Sequence, residues 1–390
     1  MVNYYLLKLD WKAFVILNNL RIVTPNEEIE RGYIEVEGNK ILSIGKKPYV
    51  GNKESIDKEG LIAFPGFIDI HIHGSMGIDF MDAREDDYKI IASSLYEEGV
   101  TTFLATTLTS DKSSLARVCE TVARIKKDVP SLGGIHFEGP YISLKYKGAQ
   151  NPEYIRDPDI EEFEYLQNEA KGNVRYISLA PERPNALPFI KKITNEGVVV
   201  SAGHTEASFD EVEKAIEVGL TNTTHTHNAM SPHHHRNPGV VTAAMYFDSL
   251  FTEVICDLVH VCPNTLKAFY KIVGPNRFVA ITDALKVKHS EQSSFQLFGL
   301  DCIRKEDAAY LSDGKTLAGS ILFMDQGLRN VRNVTKADNV SLAKMFASNA
   351  ARSLHFDDRG TLEEGKLADI VLLDHDYSVK EVYKEGNKVK

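Results

Sequence analysis

"FPGFIDIHIHG", residues 64–74, begins as an apolar run and ends with polar residues at alternate positions, Asp69, His71 and His73. Side chains two apart on a β-strand point to the same face. The segment is therefore predicted to be a buried strand, one face of which ends in a carboxylate and two imidazoles. A polar strand end of this kind is expected to face a site rather than a packed core.

Seven further apolar segments follow, and charged amphipathic stretches typical of helices lie between several of them. The segments are "TTFLATT" (101–107), "GGIHFEG" (133–139), "VRYISLAPE" (174–182), "GVVVSAGHT" (197–205), "TNTTHTHNA" (221–229), "FTEVICDLVH" (251–260) and "RFVAITDA" (277–284). Eight strands alternating with helices predict a parallel α/β fold. About 290 residues for eight units fit a (β/α)8 barrel of the TIM type.

The two ends of the chain have a different pattern, in which short Val/Ile segments alternate with turns rich in Asn, Gly and Pro. We expect both termini to contribute to one small β-sandwich domain. The predicted organisation is an N-terminal part of the sandwich (1–63), the barrel (64–355) and a C-terminal part of the sandwich (356–390).

The composition limits the classes of partner. The formal net charge of the 390 residues is −10, which argues against binding to nucleic acid or to a membrane surface. Four cysteines without CxxC spacing indicate reduced thiols. Lys8, Asp10 and Lys12 interrupt the apolar N-terminus, so neither a signal-peptide core nor a membrane span is predicted. The sequence is that expected of a cytoplasmic enzyme.

Polar side chains stand where the predicted strands end. In a TIM barrel the carboxyl ends of all strands share one rim, where active sites are built. The side chains expected there are His71, His73, Glu138, His204, His225 and Asp283. Imidazoles and carboxylates are ligands that divalent zinc or iron prefers, and a bound metal lowers the pKa of water to near 7. A carboxylate beside that water can take its proton and pass it on. The pattern predicts metal-assisted hydrolysis of a carbon–nitrogen or similar bond.

The chain resembles the N-acetylglucosamine-6-phosphate deacetylases of the amidohydrolase superfamily. "PGFIDIHIHG" (65–74) carries the HxH signature of the superfamily. "HFEGP" (136–140), "HNAM" (227–230) and "LAGS" (317–320) are more specific, and they occur in the family's order. The resemblance covers about residues 14–380. It implies a barrel enzyme that uses one or two divalent metals per subunit, with zinc the first choice and iron or manganese the alternatives.

The resemblance also implies roles for single residues. Glu138, His204 and His225 match the ligands of the principal metal, and Glu138 replaces the carbamylated lysine of other superfamily members. His71 and His73 match a pair that adds a second metal in part of the family.

Asp283 matches the general base and acid of the reaction. The residues implied to contact the substrate are Ala149, Gln150, Asn228, Ala229, Arg236, His260, Leu317, Ala318 and Gly319. Arg236 and His260 match phosphate contacts, and in the family the arginine comes from the neighbouring subunit of a homodimer. Gln150 departs from the pattern, since some members have a histidine there that polarises the substrate carbonyl.

The predicted reaction is hydrolysis of N-acetylglucosamine 6-phosphate to glucosamine 6-phosphate and acetate. Another amidohydrolase activity, that of an N-acyl amino-acid deacylase or a dihydroorotase-like cyclic amidase, is the alternative, and it needs no phosphate contacts. A non-catalytic barrel is disfavoured because the ligands and the base are all present. The further histidines of "HTHNAMSPHHHRNPG" (225–239), His227 and His233–His235, are interpreted as a solvated loop.

Overall fold

The computed structural model describes residues 14–297, 299–306 and 308–390. Its central feature is a sheet of eight parallel strands whose spatial order follows the sequence. The strands are β1 (Phe67–Ile72), β2 (Val100–Thr107), β3 (Leu132–Glu138), β4 (Val174–Leu179), β5 (Val199–Ala202), β6 (Asn222–Thr223), β7 (Phe251–Ile255) and β8 (Phe278–Ile281). The Asp283 N–H donates to the His71 carbonyl over 2.8 Å, which brings the end of β8 beside β1 and nearly closes the barrel. The predicted (β/α)8 architecture is confirmed.

One helix follows each barrel strand, and the eight surround the sheet. They are α1 (Glu85–Tyr96), α2 (Lys112–Ile125), α3 (Ile160–Glu169), α4 (Ala186–Thr194), α5 (Phe209–Glu217), α6 (Val240–Tyr246), α7 (Pro263–Val273) and α8 (Met324–Thr335). The local sequence explains their limits: α5, for example, begins at a capping box in which Ser208 and Glu211 satisfy each other's backbone N–H. Shorter helical segments are Pro152–Tyr154, Asn339–Ala343, Lys344–Ser348 and Asn349–Ser353.

A second, mixed sheet is built from both ends of the chain, as predicted. Its strands are Phe14–Val23, Glu28–Glu37, Lys40–Gly45, Ser55–Asp57, Ile62–Pro65, Ile370–Leu373, Val379–Lys384 and Asn387–Lys388. Ile62–Pro65 pairs antiparallel with Ile370–Leu373, so the two ends of the chain share one sheet. Buried residues from both parts, among them Ile34 and Leu372, form a core separate from that of the barrel. Residues 1–13 of the predicted N-terminal part lie outside the described residues. They include Lys8, Asp10 and Lys12, on which the expectation about a signal peptide or membrane span rests.

An antiparallel sheet between β8 and α8 was not predicted. It consists of Ser294–Leu297, Leu300–Lys305, Ala308–Leu311 and Leu317–Ser320, and a small hairpin of Gly74–Ser75 and Ile78–Asp79 follows β1. The Ser320 N–H donates to the Asp283 carbonyl over 2.8 Å, which fixes the "LAGS" strand at the end of β8. This insertion therefore lies at the rim where the polar residues were expected. Over the described ranges, the structure contains no helix that is both long and apolar enough to cross a bilayer.

Candidate metal centre

The six polar side chains predicted at the strand ends converge at one end of the barrel. His71 lies on β1, Glu138 is the last residue of β3, and His73 directly follows β1. One residue separates each of the others from the end of its strand, namely His204, His225 and Asp283. All six are buried, and Asp283, the most accessible, is only 8% exposed. The barrel geometry thus gathers residues from five strands that lie more than 200 positions apart at the extremes.

The carboxylate of Glu138 lies at the centre of this cluster. Its Oε1 is 3.0 Å from His204 Nε2, 3.1 Å from His225 Nε2 and 3.3 Å from His71 Nε2. Its Oε2 is 3.3 Å from His73 Nε2. One carboxylate therefore faces all four imidazoles, with each of its oxygens directed to a different part of the cluster.

The donor atoms form two groups, each compact enough to hold an ion. Glu138, His204 and His225 make one group, and His71, His73 and Asp283 make the other, with the donor atoms of each within 4.8 Å of one another. In the second group Asp283 Oδ1 is 3.2 Å from His73 Nε2 and 3.5 Å from His71 Nε2.

Hydrogen bonding shows that the donors of the first group suit a cation. His204 Nδ1 is 2.9 Å from the Tyr146 carbonyl, which can only accept, so Nδ1 carries the proton. Nε2 is then the ring atom directed at the cluster, 3.0 Å from Glu138 Oε1 and 3.1 Å from His225 Nε2. Two imidazole nitrogens and one carboxylate oxygen therefore converge on one point. The donor set is that of a divalent metal site.

The backbone at three of these positions is in the left-handed region. The φ angle is 48° at His204, 31° at His225 and 50° at Asp283. A non-glycine residue in this region costs roughly 1–3 kcal/mol, and such residues cluster at functional sites. Turning the chain sharply at the strand end aims each side chain back over the barrel mouth.

The buried carboxylates and imidazoles set one another's charge. Burial opposes a charged Glu138, but His71, His204 and His225 outweigh it and hold the pKa well below its usual range. Burial likewise raises the pKa of Asp283, but His71 and His73 lower it overall. Burial lowers the pKa of His73, yet Asp283 and Glu138 raise it to about 9. Both carboxylates are therefore anionic at neutral pH and stabilise positive charge beside them.

A cavity of about 330 Å³ lies against this cluster. Eight of the nine predicted substrate contacts line it, namely Ala149, Gln150, Asn228, Ala229, His260, Leu317, Ala318 and Gly319. It is also lined by residues that the sequence analysis did not single out, namely Leu108, Lys145, Tyr146, Gly148 and Leu297. Arg236, the ninth predicted substrate contact, is exposed and lies outside the lining of this cavity. Its Nη1 is 2.8 Å from His235 Nε2.

His260 is held in place at the cavity wall by a buried carboxylate. Its Nδ1 is 2.6 Å from Asp257 Oδ2, and both side chains are only 4% exposed. Burial lowers the pKa of His260, but the hydrogen bond to Asp257 raises it above the usual value. With Nδ1–H donated to Asp257, protonation of the ring adds an Nε2–H donor for an anionic ligand.

Gln150 contacts the cluster itself. Its Oε1 accepts the Thr109 N–H over 2.7 Å, and its Nε2 donates to Glu138 Oε2 over 2.5 Å. The amide is thereby fixed in orientation and holds the central carboxylate, with one N–H left over.

Of the histidines in the segment after β6, His225 is the one that the described residues place in the site. Among the described residues, the two ligand groups and the cavity lining include neither His227 nor His233–His235. The His227 ring packs edge-on against Phe269 with 4.7 Å between ring centroids, and burial lowers its pKa to about 4.

Glu253 on β7 is a fully buried contact of His71 that the sequence analysis missed. The only local signal is one acidic residue in the apolar strand "FTEVI".

The fold and the two donor groups define a metal-dependent hydrolase, and the sequence agrees. A sequence model described as the amidohydrolase family matches residues 62–389, and the chain belongs to this family. It is 37% identical to the N-acetylglucosamine-6-phosphate deacetylase of Bacillus subtilis (strain 168), over 96% of each chain. It is 30% identical to the N-acetylgalactosamine-6-phosphate deacetylase of Escherichia coli O157:H7, over 95% of this chain and 98% of that protein.

A solved structure is similar over nearly the whole length. It is that of a mutant N-acetyl-D-glucosamine-6-phosphate deacetylase from Mycobacterium smegmatis in complex with N-acetyl-D-glucosamine-6-phosphate. The TM-score is 0.92 at 31% identity, over 97% of this chain and 99% of that chain. The resemblance inferred from the motifs is confirmed.

Proposed function

We propose that this protein hydrolyses the acetamide of N-acetylglucosamine 6-phosphate, giving glucosamine 6-phosphate and acetate in amino-sugar catabolism. The observation that carries the proposal is one anionic carboxylate, Glu138, within 3.3 Å of four imidazoles and beside Asp283 at the cavity. The similarity to deacetylases over 96% of the chain supports the choice of substrate.

The residues divide between two metal positions. Glu138, His204 and His225 would hold the principal divalent metal, and His71, His73 and Asp283 the second. Zinc fits imidazole and carboxylate donors best, and iron or manganese are alternatives. When bound, such a metal lowers the pKa of water and polarises a carbonyl.

Asp283 moves the proton. Its anionic carboxylate accepts a proton from the water that attacks the acetyl carbonyl carbon. As the carbon–nitrogen bond breaks, Asp283 returns that proton to the departing amine, so that amide and water become acetate and amine. Gln150 keeps Glu138 in place through the 2.5 Å hydrogen bond.

Other residues of the cavity suit the sugar phosphate. His260, held by Asp257, and the backbone N–H of Ala229 are available to phosphate oxygens, whereas the Asn228 N–H is already donated to the His225 carbonyl over 2.9 Å. Leu317, Ala318 and Gly319 would face the sugar. A charge-assisted hydrogen bond of this kind is worth about 1.5–3 kcal/mol.

Acetate release from N-acetylglucosamine 6-phosphate, compared with the unphosphorylated sugar, tests the proposed function. We expect kcat/KM to fall by roughly 10²-fold or more without the phosphate, because at least two charged contacts are lost. N-acetylgalactosamine 6-phosphate serves as a second substrate that keeps the phosphate. Equal rates with and without phosphate would contradict the proposal and favour another amidohydrolase activity.

We further propose a homodimer in which Arg236 of one subunit reaches the phosphate in its partner's site. The exposed position of Arg236, outside the cavity of its own chain, supports a role across an interface. Arg236→Ala should weaken binding of the phosphorylated substrate by about 1.5–3 kcal/mol, measured as KM, and should change binding of the unphosphorylated sugar much less.

Mixing Arg236→Ala with Asp283→Asn protein tests whether Arg236 acts in its partner's site or in its own. If Arg236 acts across the interface, a mixed dimer has one site with both defects and one with neither, so activity should return. Demonstrated subunit exchange without recovery would mean that Arg236 does not act in trans.

We place the enzyme in the cytoplasm, which agrees with its four free cysteines, Cys119, Cys256, Cys262 and Cys302.

A further inference from the structure

Glu253 receives three hydrogen bonds although it is fully buried. Its Oε1 accepts the Tyr176 O–H over 2.5 Å. Its Oε2 accepts from His71 Nδ1, 3.1 Å away, and from the backbone N–H of His225, 3.2 Å away. One carboxylate on β7 thus contacts a member of each donor group, at an atom other than the Nε2 that faces Glu138.

These contacts fix the orientation of His71. Because a carboxylate only accepts, His71 Nδ1 must carry a proton, and Nε2 is the atom left for a ligand. His71 Nε2 has no hydrogen-bond partner among the described residues and faces Glu138 Oε1 at 3.3 Å and Asp283 Oδ1 at 3.5 Å. The ring of His136 packs edge-on against His71, with centroids 4.6 Å apart, and limits its rotation.

The same oxygen holds the backbone of a principal ligand. His225 has a φ angle of 31°, and its N–H is donated to the Glu253 side chain rather than to a backbone carbonyl. The strained turn that aims His225 into the first group is therefore tied to the side chain that orients His71 in the second.

We propose that Glu253 is a positioning residue that presents His71 Nε2 to the second metal position. The proposal rests on the proposed function, since it takes the two donor groups to bind metal. A carboxylate that accepts from the distal N–H of a ligating histidine fixes its tautomer and raises its basicity, and losing such a partner costs 10- to 100-fold in metal affinity.

Zinc affinity measured by chelator competition on the metal-depleted protein tests this inference. Glu253→Gln should weaken the second zinc equivalent by roughly 10- to 100-fold and change the first much less. The variant His71→Ala/His73→Ala identifies the second equivalent. Glu98→Gln is the matched control, because Glu98 is likewise buried, at 1% exposed, but pairs with Lys288 at 2.6 Å and accepts the Met324 N–H instead of contacting a ligand. This control should keep both affinities.

Wild-type affinity for both equivalents in Glu253→Gln would overturn the inference. If that variant does not fold, Glu253→Asp decides, because it keeps the charge but withdraws the oxygen from His71. A weakened second equivalent in Glu253→Asp supports the inference, and unchanged affinities refute it. A wild-type protein that binds no divalent metal would instead refute the proposed function, so the two failures are distinguishable.

Discussion

Asp283→Asn should give a folded protein that binds the principal metal but has lost turnover by roughly 10²- to 10⁴-fold. Asparagine is close to aspartate in shape but cannot accept the proton of the attacking water. Glu138, His204 and His225, the ligands of the first group, are unchanged by the substitution. The measurement is kcat with N-acetylglucosamine 6-phosphate at saturating metal, together with metal content and melting temperature.

Asp79→Asn is a suitable control for this experiment. Asp79 is 4% exposed, close to the 8% of Asp283, but it belongs to neither donor group. The control variant should stay within a few-fold of wild type. Near-normal turnover by pure, metal-loaded Asp283→Asn would remove Asp283 from the reaction.

His225→Gln should abolish the principal metal position and lower activity by at least about 10³-fold. The amide cannot replace an imidazole whose Nε2 lies 3.1 Å from both Glu138 Oε1 and His204 Nε2. Without a metal, the pKa of the attacking water would rise from near 7 to that of bulk water, so that almost none would be ionised at neutral pH. Metal content and acetate release are the two readouts.

His227→Gln is the matched control, since it makes the same change two positions along the same segment. His227 lies outside both donor groups and outside the cavity lining, within the part of the chain that the structure describes. We expect wild-type metal content and turnover from this control. Full metal content in His225→Gln would contradict the assignment of the first group.

The barrel was predictable because its strands are short apolar runs that alternate with amphipathic stretches typical of helices. The limits of β6 were harder to predict than the barrel itself. This strand spans only Asn222–Thr223, because the chain turns at His225, where φ is 31°, instead of continuing as a strand. The antiparallel insertion was missed because pairing between its strands of 4–6 residues defines the sheet, and no local sequence pattern marks those strands.

The ligands became predictable once the barrel was recognised, because the carboxyl ends of its parallel strands share one rim. Glu253 was not, because its contact with His71 joins residues 182 positions apart and depends on which face of β7 turns inward. The orientation of Gln150 toward Glu138 likewise follows from the path of a loop, which the spacing of residues does not define.

The most direct test of the account is a metal titration of the depleted protein, followed by acetate release from N-acetylglucosamine 6-phosphate. The account predicts no turnover without metal, then equimolar acetate and glucosamine 6-phosphate as the group of Glu138, His204 and His225 fills. Release of acetate at the same rate with and without divalent metal, or none from the fully loaded protein, would contradict it.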